Sequence, residues 1–309
     1  MIITLTVNPA LDIYSTTDRL EPNEKLRCNK PLIDPGGGGV NVSRVIKRLG
    51  GDSTAVYAKG GHTGKLFSDL LQKEGINEDA VEVRNDLRQN FAITETSTGN
   101  LYRFGFPGAE LELPEYEALL EKIDKCEKGA FLVASGSLPP GAPPDFYARA
   151  AARANECGLK FVLDTSGKSY KGVLEEGVYL LKPNKNELKD LTGEFADTLE
   201  QQKDQLLEFL HSYRVDVIVL SLGGDGALLA TKGEVKHFPA LKVEHVSSIG
   251  AGDSMVAGIV HGLSQKLPIE KAVLYGIACG SATIKSPGTE LLQKKDVEPL
   301  YHEALKNLH

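Results

Sequence analysis

Short runs of β-formers alternate with helix-periodic runs along most of the chain, and this alternation restricts the fold more than any other feature. Ile2 to Val7, Thr54 to Ala58, Phe131 to Ala134, Phe161 to Asp164, Tyr179 to Lys182 and Val215 to Leu220 are apolar, β-branched or aromatic stretches of strand length. Between them Val42, Val45, Ile46 and Leu49 fall at i, i+3, i+4 and i+7, and Leu66, Phe67, Leu70 and Leu71 form a second apolar stripe. Gly50, Gly75 and Gly158 stand where helix C-caps belong. Strand-helix-strand units repeated this often predict an α/β core, with a mainly parallel sheet between two helical layers.

Two regions break the rhythm. Ile13 to Ile33 and Val81 to Phe106 are rich in β-formers with no helix between them. They predict a small antiparallel sheet standing apart as a lid, formed by approximately residues 12–34 and 81–106, on a single domain spanning 1–309. So small a sheet is marginal alone and would be steadied by pairing with a second copy. From Gly250 onward the pattern is mainly helical and ends in an amphipathic stretch carrying Val297, Leu300, Tyr301 and Leu305.

Composition removes several classes of function. With 35 Lys and Arg against 42 Asp and Glu, the net charge is −7, so no global positive field supports nucleic-acid binding. An anionic ligand must be held by local cations or helix termini. Cys28, Cys126, Cys157 and Cys279 are scattered without a CxxC pair, which argues against zinc ribbons, redox motifs and disulfide frameworks and reads as reduced, mostly buried thiols. No apolar run reaches the roughly 20 residues that span a bilayer, and the first residues run straight into a strand pattern, which predicts a cytoplasmic protein. HExxH and GxSxG are absent, so zinc-hydrolase and serine-hydrolase readings lose support.

The sharpest chemical signal is Ser247-Ser-Ile-Gly250-Ala251-Gly252-Asp253-Ser-Met255, followed by the apolar run Val256 to Leu263. Glycines before a helix leave backbone N–H groups bare, and the helix dipole adds roughly half a positive charge at that point. Gly250, Ala251 and Gly252 would hold a migrating phosphoryl group, and Asp253 in the first turn could take a proton from an attacking hydroxyl. A glycine-rich turn with a capping Asp is the alternative reading of the same residues.

A second run, Asp34-Pro-Gly-Gly37-Gly38-Gly-Val-Asn41-Val42, also opens a helix and lets a ligand lie on backbone, with Asn41 able to bond sugar hydroxyls. A structural loop is its plain alternative. The run is not a dinucleotide fingerprint, because Asn41 occupies the third glycine position, and Gly61-His-Thr-Gly64-Lys65 is not a P-loop. Asn184-Lys-Asn-Glu187 fits a helix capping box; alternatively Glu187, with Asp164 at a strand end, could organise Mg²⁺ through water. Lys25, Arg27, Arg88 and Arg103 fall in the presumed lid and suit a phosphate clamp, although Lys and Arg are most often solvated surface residues. Ser137 ends a strand within Ser135-Gly-Ser-Leu-Pro-Pro-Gly141 and could bond a sugar hydroxyl, a proline-rich turn being the bland reading.

Taken in order, Pro-Gly-Gly-Gly-Gly-Val-Asn-Val, Ser-Gly-Ser-Leu-Pro-Pro-Gly, Lys-Pro-Asn-x-x-Glu, Ser-Leu-Gly-Gly-Asp-Gly-Ala and Gly-Ala-Gly-Asp-Ser resemble the ribokinase-like sugar kinases, in their phosphofructokinase-B branch. The motifs spread from residue 8 to residue 289. Within the branch the likeness is strongest to the minor bacterial 6-phosphofructokinases, through Lys25-Leu-Arg-Cys28, Arg88-Gln-Asn90, Tyr102-Arg-Phe104 and the unbroken glycine run. Relatives acting on fructose 1-phosphate or tagatose 6-phosphate often carry a lysine in that run, where this chain has Gly38.

The resemblance implies a ribokinase-like three-layer core with a β lid that also forms a homodimer interface. It implies Asp12, Gly37, Gly38, Asn41 and Ser137 on the sugar, and Lys25, Arg88 and Arg103 toward its phosphate. ATP would lie along Lys182, Asn184, Ser221, Gly223, Gly226, Ser248 and Gly280, with Mg²⁺ beside it. Some relatives bind K⁺ near Ser247, Ile249, Thr283 and Ser286, although the segment Ser286 to Glu290 departs from theirs. The implied reaction is ATP-dependent phosphorylation of fructose 6-phosphate to the 1,6-bisphosphate, with tagatose 6-phosphate and fructose 1-phosphate as competing substrates. A non-catalytic sugar-phosphate sensor and a nicotinamide dehydrogenase are the readings from other classes; the latter lacks its fingerprint.

Overall fold

The computed structural model describes residues 1–170, 172–194 and 196–308. A ten-stranded sheet runs, edge to edge, Glu234–Phe238, Ala227–Thr231, Val215–Ser221, Val178–Leu181, Lys160–Asp164, Phe131–Ser135, Ile2–Thr6, Thr54–Gly60 and Asn77–Glu78, with Val81–Val83 also pairing on Thr54–Gly60. From Val215–Ser221 to Asn77–Glu78 every pairing is parallel, as the alternation predicts. The two strands beyond Val215–Ser221 are antiparallel and escaped the sequence reading, because no helix separates them and the chain simply folds back.

The inner strands are buried on both faces, so they read as continuous apolar runs. Leu5 and Val7 pack into one layer with Leu119, Phe146 and Leu206, while Ile2 packs into the other with Val45, Ile259 and Leu274. Helix Gly38–Leu49 shows the local logic: Val42, Val45 and Ile46 are wholly buried and Gly50 ends it at φ 89°. Gly75 and Gly158 also take the positive φ expected of them. Of the second stripe, Phe67 and Leu71 are core and Leu66 is exposed. All four cysteines are free, but only Cys279 is fully buried and Cys28 is exposed, contrary to the expectation of mostly buried thiols. Among the described residues no helix is long and apolar enough to cross a membrane.

A separate four-stranded sheet has the order Leu32–Gly36, Ala10–Thr17, Arg88–Glu95, Leu101–Phe104. Its central pair is parallel, with Ala10 opposite Arg88 and Asp12 opposite Asn90, so the antiparallel expectation is corrected to a mixed sheet. Both central strands leave the core in the same direction, which no hairpin allows. Of the second predicted stretch, Val81–Val83 belongs instead to the edge of the large sheet.

Candidate active site

Between Ile2–Thr6 and Phe131–Ser135 the strand order turns toward opposite edges, and the crevice outside such strand ends is where α/β sheets gather ligands. A cavity of about 470 Å³ opens there, between the small sheet and the start of helix Ala251–Ser264. Asp12, Gly37, Gly38, Asn41, Arg88, Arg103, Gly250 and Asp253 all line it.

The first glycine run forms the floor, and it is not slack chain. A β-carbon on Gly36 would fall on the Asp12 carboxylate and one on Gly38 on the Ser135 hydroxyl. One on Gly39 would lie 2.8 Å from the Leu5 carbonyl oxygen, and Gly37 has φ 113°. Any side chain at position 38 therefore requires Ser135 to shift. Helix Gly38–Leu49 then places Asn41, whose Nδ2 donates to Asp253 Oδ2 at 2.9 Å. Asn41 was expected on a sugar hydroxyl; in this structure its amide lies on the acid.

Asp253 sits in the first turn of helix Ala251–Ser264, after Gly250 at φ 73°. The Ala251 N–H turns back onto the Ser248 carbonyl at 3.3 Å. Among the described residues the N–H groups of Gly250, Gly252 and Asp253 have no partner, so of the Gly250-to-Gly252 amides only that of Ala251 is taken up, and Asp253 adds a bare one. Burial, reinforced by the nearby Asp164 charge, raises the Asp253 pKa to about 7; the Asn41 bond and Lys182 pull the other way and Asp12 adds to the rise.

Lys182 follows strand Val178–Leu181 and is nearly enclosed, paired at 3.1 Å with Asp164. Burial disfavours its charge, but Asp164, Glu187 and Asp253 outweigh that and leave its pKa raised. Its Nζ would be 3.7 Å from a β-carbon on Gly252, so an ammonium stands beside the bare amides. In the small sheet Asp12 accepts from Asn90 at 2.9 Å, and burial raises its pKa despite the Asn90 bond and the Arg88, Arg103 and Arg44 charges. Arg88 donates to the carbonyls of Asn8 (3.0 Å) and Phe106 (3.2 Å), yet its Nε is buried without a partner. Burial lowers the Arg88 pKa against the pull of Asp12.

Other expected residues lie elsewhere. Lys25 is exposed between Ala10–Thr17 and Leu32–Gly36 and does not line the cavity. Ser137 is exposed and receives a 3.4 Å bond from Asn8. Asn184 and Glu187 form the capping box of helix Lys185–Thr192, with Asn184 Oδ1 accepting at 2.9 and 3.0 Å and Glu187 Oε2 accepting from the Asn184 N–H at 2.8 Å. Asn184 also bridges Ser221, which brings two adjacent strand ends together. Gly223 and Gly226 take positive φ in the turn after Val215–Ser221, and a β-carbon on Gly226 would strike the Phe238 carbonyl. Ser248 is exposed. Gly280 is buried within helix Ile269–Ile284, where an added β-carbon would lie 3.2 Å from the Ala251 carbonyl oxygen.

A model of the pfkB family carbohydrate kinases matches residues 5–296. The chain belongs to that family. It is 41% identical over 304 residues to the ATP-dependent 6-phosphofructokinase isozyme 2 of Mycobacterium tuberculosis, covering 98% of this chain and 89% of the relative. The 1-phosphofructokinase of Bacillus subtilis is 34% identical over 292 residues, covering 94% and 95%. The crystal structure of phosphofructokinase-2 from Escherichia coli in complex with potassium superposes with TM-score 0.95 at 35% identity, covering 98% of this chain and 99% of that one. The fold is therefore the ribokinase-like one, and this pfkB family carbohydrate kinase has its strand ends, glycine floor and first-turn acid around one cavity.

Sequence reasoning passed over Arg44. Its guanidinium, 1% exposed, spans Glu74 and Asp34 at 2.6 and 3.1 Å. An arginine beside Val45 and one turn before Lys47 and Arg48 gave no signal of burial, because its partners are 10 and 30 residues away. Thr289 was missed likewise; it lines the cavity and donates to Asp34 Oδ2 at 2.7 Å.

Proposed function

We propose that the protein transfers the γ-phosphoryl group of ATP to the C1 hydroxyl of fructose 6-phosphate. The observation carrying this reading is that Asp253, with a pKa near neutrality, shares one cavity with Arg88 and Arg103. The acceptor hydroxyl gives its proton to an Asp253 carboxylate oxygen as its own oxygen attacks the γ-phosphorus. The new C1 oxygen–phosphorus bond forms while the bond to the ADP oxygen breaks. Charge growing on the phosphoryl oxygens meets the free amides of Gly252 and Asp253 and the Lys182 ammonium. Arg88 and Arg103 hold the sugar's own phosphate, and the unpartnered Arg88 Nε is a donor in want of such an oxygen.

ATP lies along Lys182, Asn184, Ser221 and the Gly223–Gly226 turn. Mg²⁺ fits beside it only indirectly: Asp164 has one oxygen on Lys182, Glu187 has one in the capping box, and no cluster of three acidic, His or Cys groups stands there among the described residues. The remaining oxygens suit a hydrated ion reached through water. When bound, Mg²⁺ neutralises nucleotide charge. Likeness to the potassium-bound Escherichia coli structure supports K⁺ near Ser247 and Thr283. The exposed apolar residues Ile33, Phe91, Tyr102 and Phe104 share one face of the small sheet and support a homodimer that pairs lid to lid.

Likeness to a 1-phosphofructokinase supports fructose 1-phosphate as a second reading. A coupled assay of ADP release comparing kcat/KM on fructose 6-phosphate, tagatose 6-phosphate, fructose 1-phosphate and fructose tests both. The highest value belongs on fructose 6-phosphate. ADP release indifferent to the sugar's phosphate, or none with any sugar, overturns the reading.

A further inference from the structure

Arg44 makes more contacts than any pairing of charges requires. Its Nε donates to both Glu74 oxygens at 3.0 and 2.9 Å, and Nη2 reaches Glu74 and Asp34. Its Nη1 points the other way, to the Pro35 carbonyl at 2.9 Å and to Asn41 Oδ1 at 3.5 Å. The second contact is long for a hydrogen bond, but it sets a full buried charge against an amide dipole.

Asn41 stands between two groups that accept no ambiguity. A guanidinium has only donors, so the amide atom facing it must be oxygen. An ionised carboxylate has only acceptors, so the atom facing Asp253 must be the NH₂. With Arg44 in place, both ends of the amide agree on one orientation. Without it, the amide could turn over and accept a proton-bearing Asp253, an arrangement that favours the form of the acid unable to take a proton.

We propose that Arg44 is a positioning residue of the phosphoryl-transfer site, which pins the Asn41 amide with its NH₂ toward Asp253 and fixes the Pro35 carbonyl where the glycine floor begins. The proposal rests on the reading of Asp253 as the base. Asp164 and Asp12 face Asp253 with negative charge and Lys182 with positive charge, and among the described residues none of them bonds the Asn41 oxygen, so Arg44 is what holds that end of the amide.

The test compares pH profiles of kcat/KM for ADP release with fructose 6-phosphate in the wild type, R44K, R44M/E74L and E74Q. R44K keeps a charge between Glu74 and Asp34, and R44M/E74L replaces the inner pair by apolar groups, so each guards against the other failing to fold. In R44K and R44M/E74L the acid limb should move upward by about one pH unit, so that activity falls about tenfold more at pH 6 than at pH 8.5. E74Q, which leaves the Asn41 contact intact, should lower the melting temperature without moving the limb. Parallel profiles that differ only in height, in both Arg44 variants, would overturn the proposal and leave Arg44 a structural ion pair. A wild type that releases no ADP with any sugar phosphate removes the base assignment first, and the proposal with it.

Discussion

The two glycine runs open helices at the same cavity, yet they are built on opposite terms. Around Gly36–Gly39 added β-carbons strike Asp12, Ser135 and Leu5, and Gly37 needs its positive φ. Around Gly252 the nearest atom is the Lys182 ammonium at 3.7 Å, an ordinary contact, and two N–H groups lie bare. One run is glycine because protein already fills the space; the other is glycine where the space is left for something else. A glycine-rich stretch thus says that backbone is approached closely, without saying by what.

Substitutions separate the two. The largest effect belongs to the acid itself: D253N should lose about 10²- to 10⁴-fold in kcat with nucleotide affinity nearly kept. Its melting temperature should exceed the wild type's at pH 8 and match it near pH 4. The sign follows from the raised pKa: the wild type loses stability as pH rises between 3.8 and about 7, and the neutral amide does not. Retained turnover would remove Asp253 from the mechanism.

G252A should fold as the wild type does and lose roughly 10- to 100-fold in kcat, because a methyl crowds the bare amides. G38A should do the reverse and lose about 1–3 kcal/mol of stability in denaturant titration, through overpacking on Ser135. Equal stability losses in both would erase the distinction. R103A should raise the sugar-phosphate KM by about tenfold at nearly constant kcat, the signature of a lost ground-state contact. Mild acidification probes the same acid without substitution: kcat/KM should fall tenfold per unit below about 7 and level off above it, since protonated Asp253 cannot accept a proton.

Local pattern carried much of this in advance. Strand and helix runs announced the parallel sheet because strands buried on both faces must be apolar, and Gly-Ala-Gly-Asp before an apolar periodic run announced the start of a helix. What local pattern could not carry were relations across the chain. Asp34, Glu74 and Thr289 come to Arg44 and its partners from three distant segments. Nor could it show that Asn41 would turn to Asp253 across 212 positions. The parallel centre of the small sheet was hidden for the same reason, since runs of β-formers carry no direction.

That parallel centre bears on how the molecule comes into being. Asp12 and Asn90, neighbours in it, are 78 residues apart, and the chain between them runs through the core before returning. The small sheet therefore has no autonomous hairpin at its middle from which to nucleate. Its central pairing is instead a contact of long sequence separation, whose loop-closure cost must be met by the core segments that bring both roots together.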